Sequence, residues 1–149
     1  AIVYGGLESD IARVIYDKLG TGIQTKGDIV VPIITLSGNT KDIRFNRPHP
    51  VPIYVQITNL STDGNFPKDG NNRLIAAVVQ YIGNRESGGV GVGEILYHQK
   101  LPAVLYAVPG VLDFDVYLGT DPDNLQMENI RVDSRSKVVT DEGKVSIVE

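Results

Sequence analysis

Apolar and polar residues in the first third of the chain alternate with the spacing of a helix and then with that of two strands. Across residues 7–19 the apolar side chains recur every three or four positions, which predicts an amphipathic helix. A short apolar run at 2–4 precedes it and is a strand candidate. Residues 29–36 and 41–46 are further strand candidates, joined by a turn at 37–40 where Gly and Asn tolerate positive φ. The pattern therefore predicts a β-α-β-β unit.

The remainder of the chain predicts a second unit with the order β-α-α-β-β. Residues 112–118 alternate between apolar and polar side chains, which is typical of a strand with one solvated face. A Pro-Gly pair at 109–110 ends the helix that precedes this strand. The predicted elements are a strand over 51–60, a helix over 74–82, a helix from Gln99 to Val108, a strand over 112–118, and a closing hairpin of strands 137–140 and 144–148 around Asp141-Glu142-Gly143.

Three prolines lie where the two predicted units meet. In the run RPHPVP at 47–52, each proline disfavours helical backbone at the residue before it and lacks an N–H donor. We therefore predict an extended, stiff connector between the units. The sequence as a whole predicts an α+β fold of two small subdomains, residues 1–48 (βαββ) and residues 49–149, whose helices pack on mainly antiparallel sheets.

Composition argues against several classes of protein. The net charge of −4 and the scattered basic residues argue against a broad nucleic-acid-binding face, and no apolar run approaches the ~18 residues of a membrane span. The sequence contains no Cys, which excludes disulfides and Cys-based zinc sites. The only methionine is Met127, so we expect a processed product or a fragment of a longer chain.

Few residues form patterns that carry chemistry. The glycine-rich run SGGVGVG at 87–93 fits neither G-x-G-x-x-G nor a P-loop, and it follows a helix, so we predict a flexible connector there. His49 and His98 have no second ligand at a familiar metal spacing. Asp113 and Asp115 share a strand face, but alternate acids on a solvated face are routine in antiparallel sheets.

The acidic run DPDN at 121–124 lacks the spacing of a calcium loop and predicts a turn instead. We therefore predict no catalytic residue, no metal site and no cofactor, and a protein that is not an enzyme. Arg44, Arg47 and Tyr54 lie on or beside the proline run, and Arg and Tyr are enriched where proteins meet. We predict that some of these three residues contact a partner protein.

The segment IRFNRPHPVPIYVQIT at 43–58 resembles the baseplate J-like proteins of contractile phage tails and related injection systems. Its pattern is IRF-x-RP-x-PVPIYV after a short hairpin. Features on both sides resemble the same family and extend the similarity in order from about Val3 to Val148. They are Gly5-Gly6 before a helix, Gly20-Thr21-Gly22-Ile23 after it, the helix over 74–82 with a glycine-rich exit, and the helix over 101–108 closed by Pro109-Gly110-Val111.

The resemblance implies the C-terminal portion of a structural wedge protein of a phage or prophage baseplate. Such a protein works through contacts with other baseplate proteins and with copies of itself, and it is located in the virion after assembly in the bacterial cytoplasm. No nucleic acid, membrane or small-molecule substrate is expected as a partner. The alternative is a receptor- or glycan-binding module of the tail, which exposed aromatics gathered in one groove would favour. A deep polar pocket with converging carboxylates and a His would favour an enzyme.

Overall fold

A computed structural model of the chain describes residues 1–20, 22–85 and 88–149. Within these residues the fold is α+β, as predicted, with three α-helices and eight strands. Contacts between residues divide the chain into two compact units, Ala1–Pro48 and His49–Glu149, which we call the N-terminal unit and the C-terminal unit. Thr21 and Ser87, which belong to the predicted Gly20–Ile23 motif and to the glycine-rich run, lie outside the described residues.

The N-terminal unit is a helix packed on a β-hairpin. The helix α1 spans Glu8–Lys18, and the strands β1 (Ile29–Ile34) and β2 (Thr40–Phe45) pair antiparallel. The predicted strand at 2–4 is reduced to an isolated bridge between Ile2 and Asn46. The core of the unit lies between α1 and the hairpin and consists of Ala12, Ile33 and Ile43 with a few half-buried neighbours.

Pro32 lies in the middle of β1 without interrupting the hairpin. The backbone N–H of Arg44 donates away from β1 to the Thr25 hydroxyl at 2.7 Å, so its register partner Val30 is in a non-hydrogen-bonded pair. By alternation, Pro32 occupies the same kind of position, where a proline removes no ladder hydrogen bond. Its presence there is typical of an edge strand.

The C-terminal unit is a mixed sheet covered by helices. Its main sheet has the strand order β6-β5-β4-β8, and a second pair joins β3 to β7. A short 3₁₀ turn at His98–Lys100 precedes α3, so the helix predicted from Gln99 begins as a tighter turn. The elements are β3 (His49–Pro52), β4 (Tyr54–Thr62), α2 (Gly70–Ile82), α3 (Leu101–Tyr106), β5 (Val111–Asp121), β6 (Asn124–Gln126), β7 (Ser136–Val139) and β8 (Val145–Ile147).

The predicted closing hairpin is wrong, because β7 and β8 do not pair with each other. Both run parallel to the central segment, β7 beside β3 and β8 beside β4. Pro52 pairs with Val139, and Val55 pairs with Val145. The segment from β7 to β8 therefore contains six residue steps where the segment from β3 to β4 contains three. The surplus residues form the 3₁₀ turn Glu142–Lys144, in which Asp141 accepts a hydrogen bond from the Gly143 N–H. The turn chemistry was recognisable in the sequence, but it interrupts a strand instead of reversing it.

The backbone of the proline run is extended, as predicted, but most of the run is not a connector. His49–Pro52 is a strand of the C-terminal unit, so the segment between β2 and β3 is reduced to residues 46–48. The His49 N–H donates to the carbonyl of Arg135, just before β7, at 2.9 Å. The Ile53 N–H donates to the carbonyl of Val139, the last residue of β7, at 2.8 Å. The nitrogens of Pro50 and Pro52 therefore face the other edge, where a missing donor costs nothing, and pairing with β5 begins only at Tyr54.

Candidate interaction surfaces

Arg47 is engaged within the N-terminal unit. Its guanidinium donates to three backbone carbonyls, those of Val3 (3.2 Å), Gly5 (2.6 Å) and Gly6 (2.8 Å). The same group lies 5.5 Å from the ring centroid of the buried Phe45, within cation–π range. Arg47 therefore ties the segment before α1 to the end of β2, a role that the sequence did not indicate because its partners are backbone atoms about 40 positions away.

Arg44 and Tyr54 occupy different units. Arg44 lies on the exposed outer side of β2, opposite Val30 of β1. Tyr54 begins β4 in the C-terminal unit and is half-buried, with the ammonium of Lys144 6.0 Å from its ring centroid. Lys144 also pairs with Asp141, and this hydrogen bond lowers the pKa of the Asp141 carboxyl. Of the three predicted interface residues, Arg44 is thus the exposed one.

The outer side of the hairpin exposes apolar side chains. Along β1, Ile29, Val31 and Ile33 face inward, whereas Val30, Pro32 and Ile34 face outward. Ile34 is 74% exposed, and Leu36, in the turn that follows, is fully exposed. We call Val30, Pro32, Ile34 and Leu36 the hairpin face. Its sequence signal is the run IVVPII, which is apolar on both sides of the strand where a strand with one wet face would alternate.

A cleft opens in the C-terminal unit between α2, the glycine-rich segment and the turn before α3. Its volume is about 640 Å³. Tyr81 and Tyr97 line it together with the side chains of Gln80, Glu94 and Lys100. Burial raises the pKa of the Tyr81 hydroxyl above its ordinary value. Sequence spacing could not bring these residues together, because they come from three segments.

The described part of the glycine-rich run, residues 88–93, makes hydrogen bonds to the end of α2 and to β7. The Val90 N–H donates to the Ile82 carbonyl at 3.2 Å, and the Gly93 N–H donates to the Ser136 carbonyl at 2.8 Å. Val90 itself is buried in the main core. Gly89 has a φ of 80°, and a Cβ there would clash with the Ile82 carbonyl oxygen. The glycines therefore permit close approach to the end of α2.

Three of the residues considered for acid–base or metal chemistry, His98, Asp113 and Asp115, have structural partners. His98 Nε2 lies 2.7 Å from the Val116 carbonyl oxygen. Asp115 accepts from the Asn59 amide at 2.7 Å, across a bulge where Asn59 adopts a φ of 52°. Asp113 accepts from the Phe114 N–H. Among the residues that the structure describes, no three His, Asp or Glu side chains gather in a way that could hold a metal ion.

Lys137 is a buried cation that the sequence analysis missed. It is 1% exposed, in the strand β7. Its ammonium donates to the carbonyls of Val138 at 3.0 Å and of Ile82, the last residue of α2, at 3.4 Å. A cation at the carboxyl end of a helix is favourable because it meets the negative end of the helix dipole. Burial lowers the pKa of this ammonium.

A scan against protein-family models and a search of curated proteins both return no match to this chain. The resemblance to the baseplate J-like proteins therefore rests on the quoted residues and stays a prediction. Within the described ranges, no helix combines the length and apolar character needed to cross a bilayer.

Proposed function

We propose that this chain is a structural component of a phage or prophage contractile-tail baseplate, a J-like wedge protein that acts through protein–protein interfaces. Its partners are other baseplate proteins and copies of itself, and the proposed role needs no catalytic residue or cofactor. The observation that carries the proposal is the hairpin face, where apolar side chains lie in solvent on a unit with a small core.

The hairpin face has the composition of an interface. Apolar side chains gathered on a surface mark contact sites, because burying them against a partner releases about 25 cal/mol per Å². The cross-strand partners of Val30, Pro32 and Ile34 on the same side of the hairpin are Arg44, Asp42 and Thr40. An apolar centre with a polar rim is the usual anatomy of a protein–protein contact. Arg44 thus joins the proposed interface at its rim.

Arg47 and Tyr54 have weaker support as interface residues. The guanidinium of Arg47 is occupied by three carbonyls of its own unit. Tyr54 is half-buried beside Lys144. We propose that they stabilise the folded units and that contact with neighbours is concentrated on the hairpin face.

Mass spectrometry of purified tail particles tests the proposal. Particles from the source bacterium are separated from soluble cell protein, and peptides of this chain are quantified in both fractions. We expect the chain to be enriched with sheath and tube proteins, and its gene to lie beside theirs. A chain that is abundant in the cell and absent from intact particles would contradict the baseplate role.

The second candidate function is a receptor- or glycan-binding module of the tail. The cleft favours it, because Tyr81 and Tyr97 line one cavity together with polar residues. This candidate is compatible with a baseplate location.

A further inference from the structure

The cleft of the C-terminal unit is large enough for a small ligand. Its volume of about 640 Å³ falls within the roughly 300–1,000 Å³ that is typical of small-molecule sites. One wall is α2, through the exposed Gln80 and the half-buried Tyr81, which also packs against the main core. Another wall is the backbone of Gly89 and Gly93. Because hydrogen bonds to Ile82 and Ser136 fix the glycine wall, its shape exists before any ligand enters.

The lining combines aromatic rings with donors and acceptors of balanced charge. Tyr97 is 41% exposed, and the ammonium of Lys100 lies 5.1 Å from its ring centroid. The Glu94 carboxylate accepts from the Gly91 N–H at 3.0 Å, which fixes its position at the cleft. Among the described residues of the lining, one carboxylate and one ammonium are neutral in sum, so these charged side chains provide no net attraction for an anion such as phosphate.

We propose that this cleft binds a neutral saccharide, through one or two pyranose units of an oligosaccharide. The apolar C–H face of a pyranose packs on a tyrosine ring, which offers a large apolar body with a polar tip. Its hydroxyls are both donors and acceptors, and they match the Gln80 amide, the Glu94 carboxylate and the Lys100 ammonium. A wholly apolar ligand would leave these polar groups without partners and would therefore bind poorly.

The proposal develops the glycan-binding candidate and gives it a site. It does not depend on assembly, because the hairpin face belongs to the other unit. Failure of saccharide binding would leave the interface role of the hairpin face untouched. Equally, absence of the chain from tail particles would leave a sugar-binding cleft in place.

The test is an NMR titration of the full chain with glucose, galactose, mannose, rhamnose and N-acetylglucosamine, each as free sugar and as an oligomer. Glucuronate and inorganic phosphate are included as anionic probes. We expect at least one neutral probe to shift the amides of Gln80, Glu94 and Tyr97, with a Kd of about 1 mM or tighter for an oligomer. Tyr97→Ala should weaken that binding by roughly tenfold or more, since it removes one of the two rings.

Tyr117→Ala is the matched control, because Tyr117 lies on β5 and does not line the cleft. It should bind the same probe as the unchanged chain does. Gln80→Ala, on the exposed side of α2, serves as a second cleft variant if Tyr97→Ala folds poorly, since Ala is favourable in a helix. The proposal is overturned if no neutral probe shifts the cleft amides, if only the anionic probes do, or if cleft and control variants bind alike.

Discussion

The two units of this protein differ most in how much apolar surface each one buries by itself. Among the described residues, the main cluster of the C-terminal unit contains sixteen buried apolar side chains, whereas that of the N-terminal unit contains Ala12, Ile33 and Ile43. A smaller unit buries a smaller fraction of its surface. The N-terminal unit accordingly leaves the hairpin face in solvent, and the C-terminal unit exposes few large apolar side chains for its size.

The difference shows how a small unit can be held together by polar contacts to the backbone. In the N-terminal unit, Arg47 binds three carbonyls, and the Arg44 N–H is satisfied by the Thr25 hydroxyl. The Asn46 side chain accepts from the Asp28 N–H at 2.8 Å. In the C-terminal unit, stability comes mainly from α2 and α3 packed on the strands β4 and β5. We infer that the first unit gains further stability when a partner covers the hairpin face.

The largest expected effect is a core truncation in the C-terminal unit. Leu74 is fully buried between α2 and the sheet, so Leu74→Ala should lower the free energy of unfolding by about 2–5 kcal/mol. Leu36→Ala, at a fully exposed position of the N-terminal unit, should change it by no more than about 0.5 kcal/mol. Urea titration followed by far-UV circular dichroism measures both. Equal losses from the two variants would contradict the assigned core.

Loss of the Arg47 contacts should have an intermediate effect that is confined to the N-terminal unit. Arg47→Ala removes three charged hydrogen bonds to carbonyls before α1, which should cost about 1–3 kcal/mol. Arg44→Ala is the control, because the Arg44 side chain is exposed. Hydrogen exchange should show faster exchange at residues 3–18 in Arg47→Ala alone. Unchanged exchange in this variant would show that the contacts contribute nothing.

A smaller effect is expected in the pH dependence of stability. Burial lowers the pKa of Lys137 below its ordinary value of 10.5, to which it returns on unfolding. Between the two pKa values the unfolded chain binds more protons, so this residue makes stability rise as the pH increases toward 10.5. The raised pKa of Tyr81 acts in the opposite direction at higher pH. Comparison with Lys137→Met isolates the lysine, since the tyrosines contribute equally to both proteins.

As the pH is raised from 7 toward 10, we expect the free energy of unfolding of the unchanged chain to increase relative to that of Lys137→Met. Denaturant titrations at several pH values measure the difference. Parallel pH profiles for the two proteins would show that the ammonium is not desolvated in the folded state.

Much of the fold could be predicted from local patterns. The helices α1 and α2 and the strands β1, β2, β4 and β5 were predicted, because each has its own periodicity. The path of β7 and β8 could not be, because a turn sequence does not say whether the strands on either side pair with each other or with a third. The prolines correctly indicated extended backbone, but the pairing of this run with β7 could not be predicted, because prolines do not show that the other edge of the strand is paired.

The candidate surfaces were predicted less well than the fold. Arg44 was proposed for its residue type, and the structure places it beside the hairpin face. The roles of Arg47 and Lys137 depend on carbonyls distant in the sequence, which leave no local pattern. The cleft is formed by three segments, so the sequence could not predict that its two tyrosines lie in one cavity.

The central claim is that the hairpin face is an assembly surface, and Ile34→Glu tests it most directly. Ile34 is 74% exposed, so the substitution should change the free energy of unfolding by no more than about 0.5 kcal/mol. Leu112→Glu, at an exposed position of the C-terminal unit, is the matched control. The test measures the incorporation of each variant into tail particles that lack the unchanged chain. We expect loss of incorporation for Ile34→Glu alone, and full incorporation of a folded Ile34→Glu chain would show that the hairpin face is not an assembly surface.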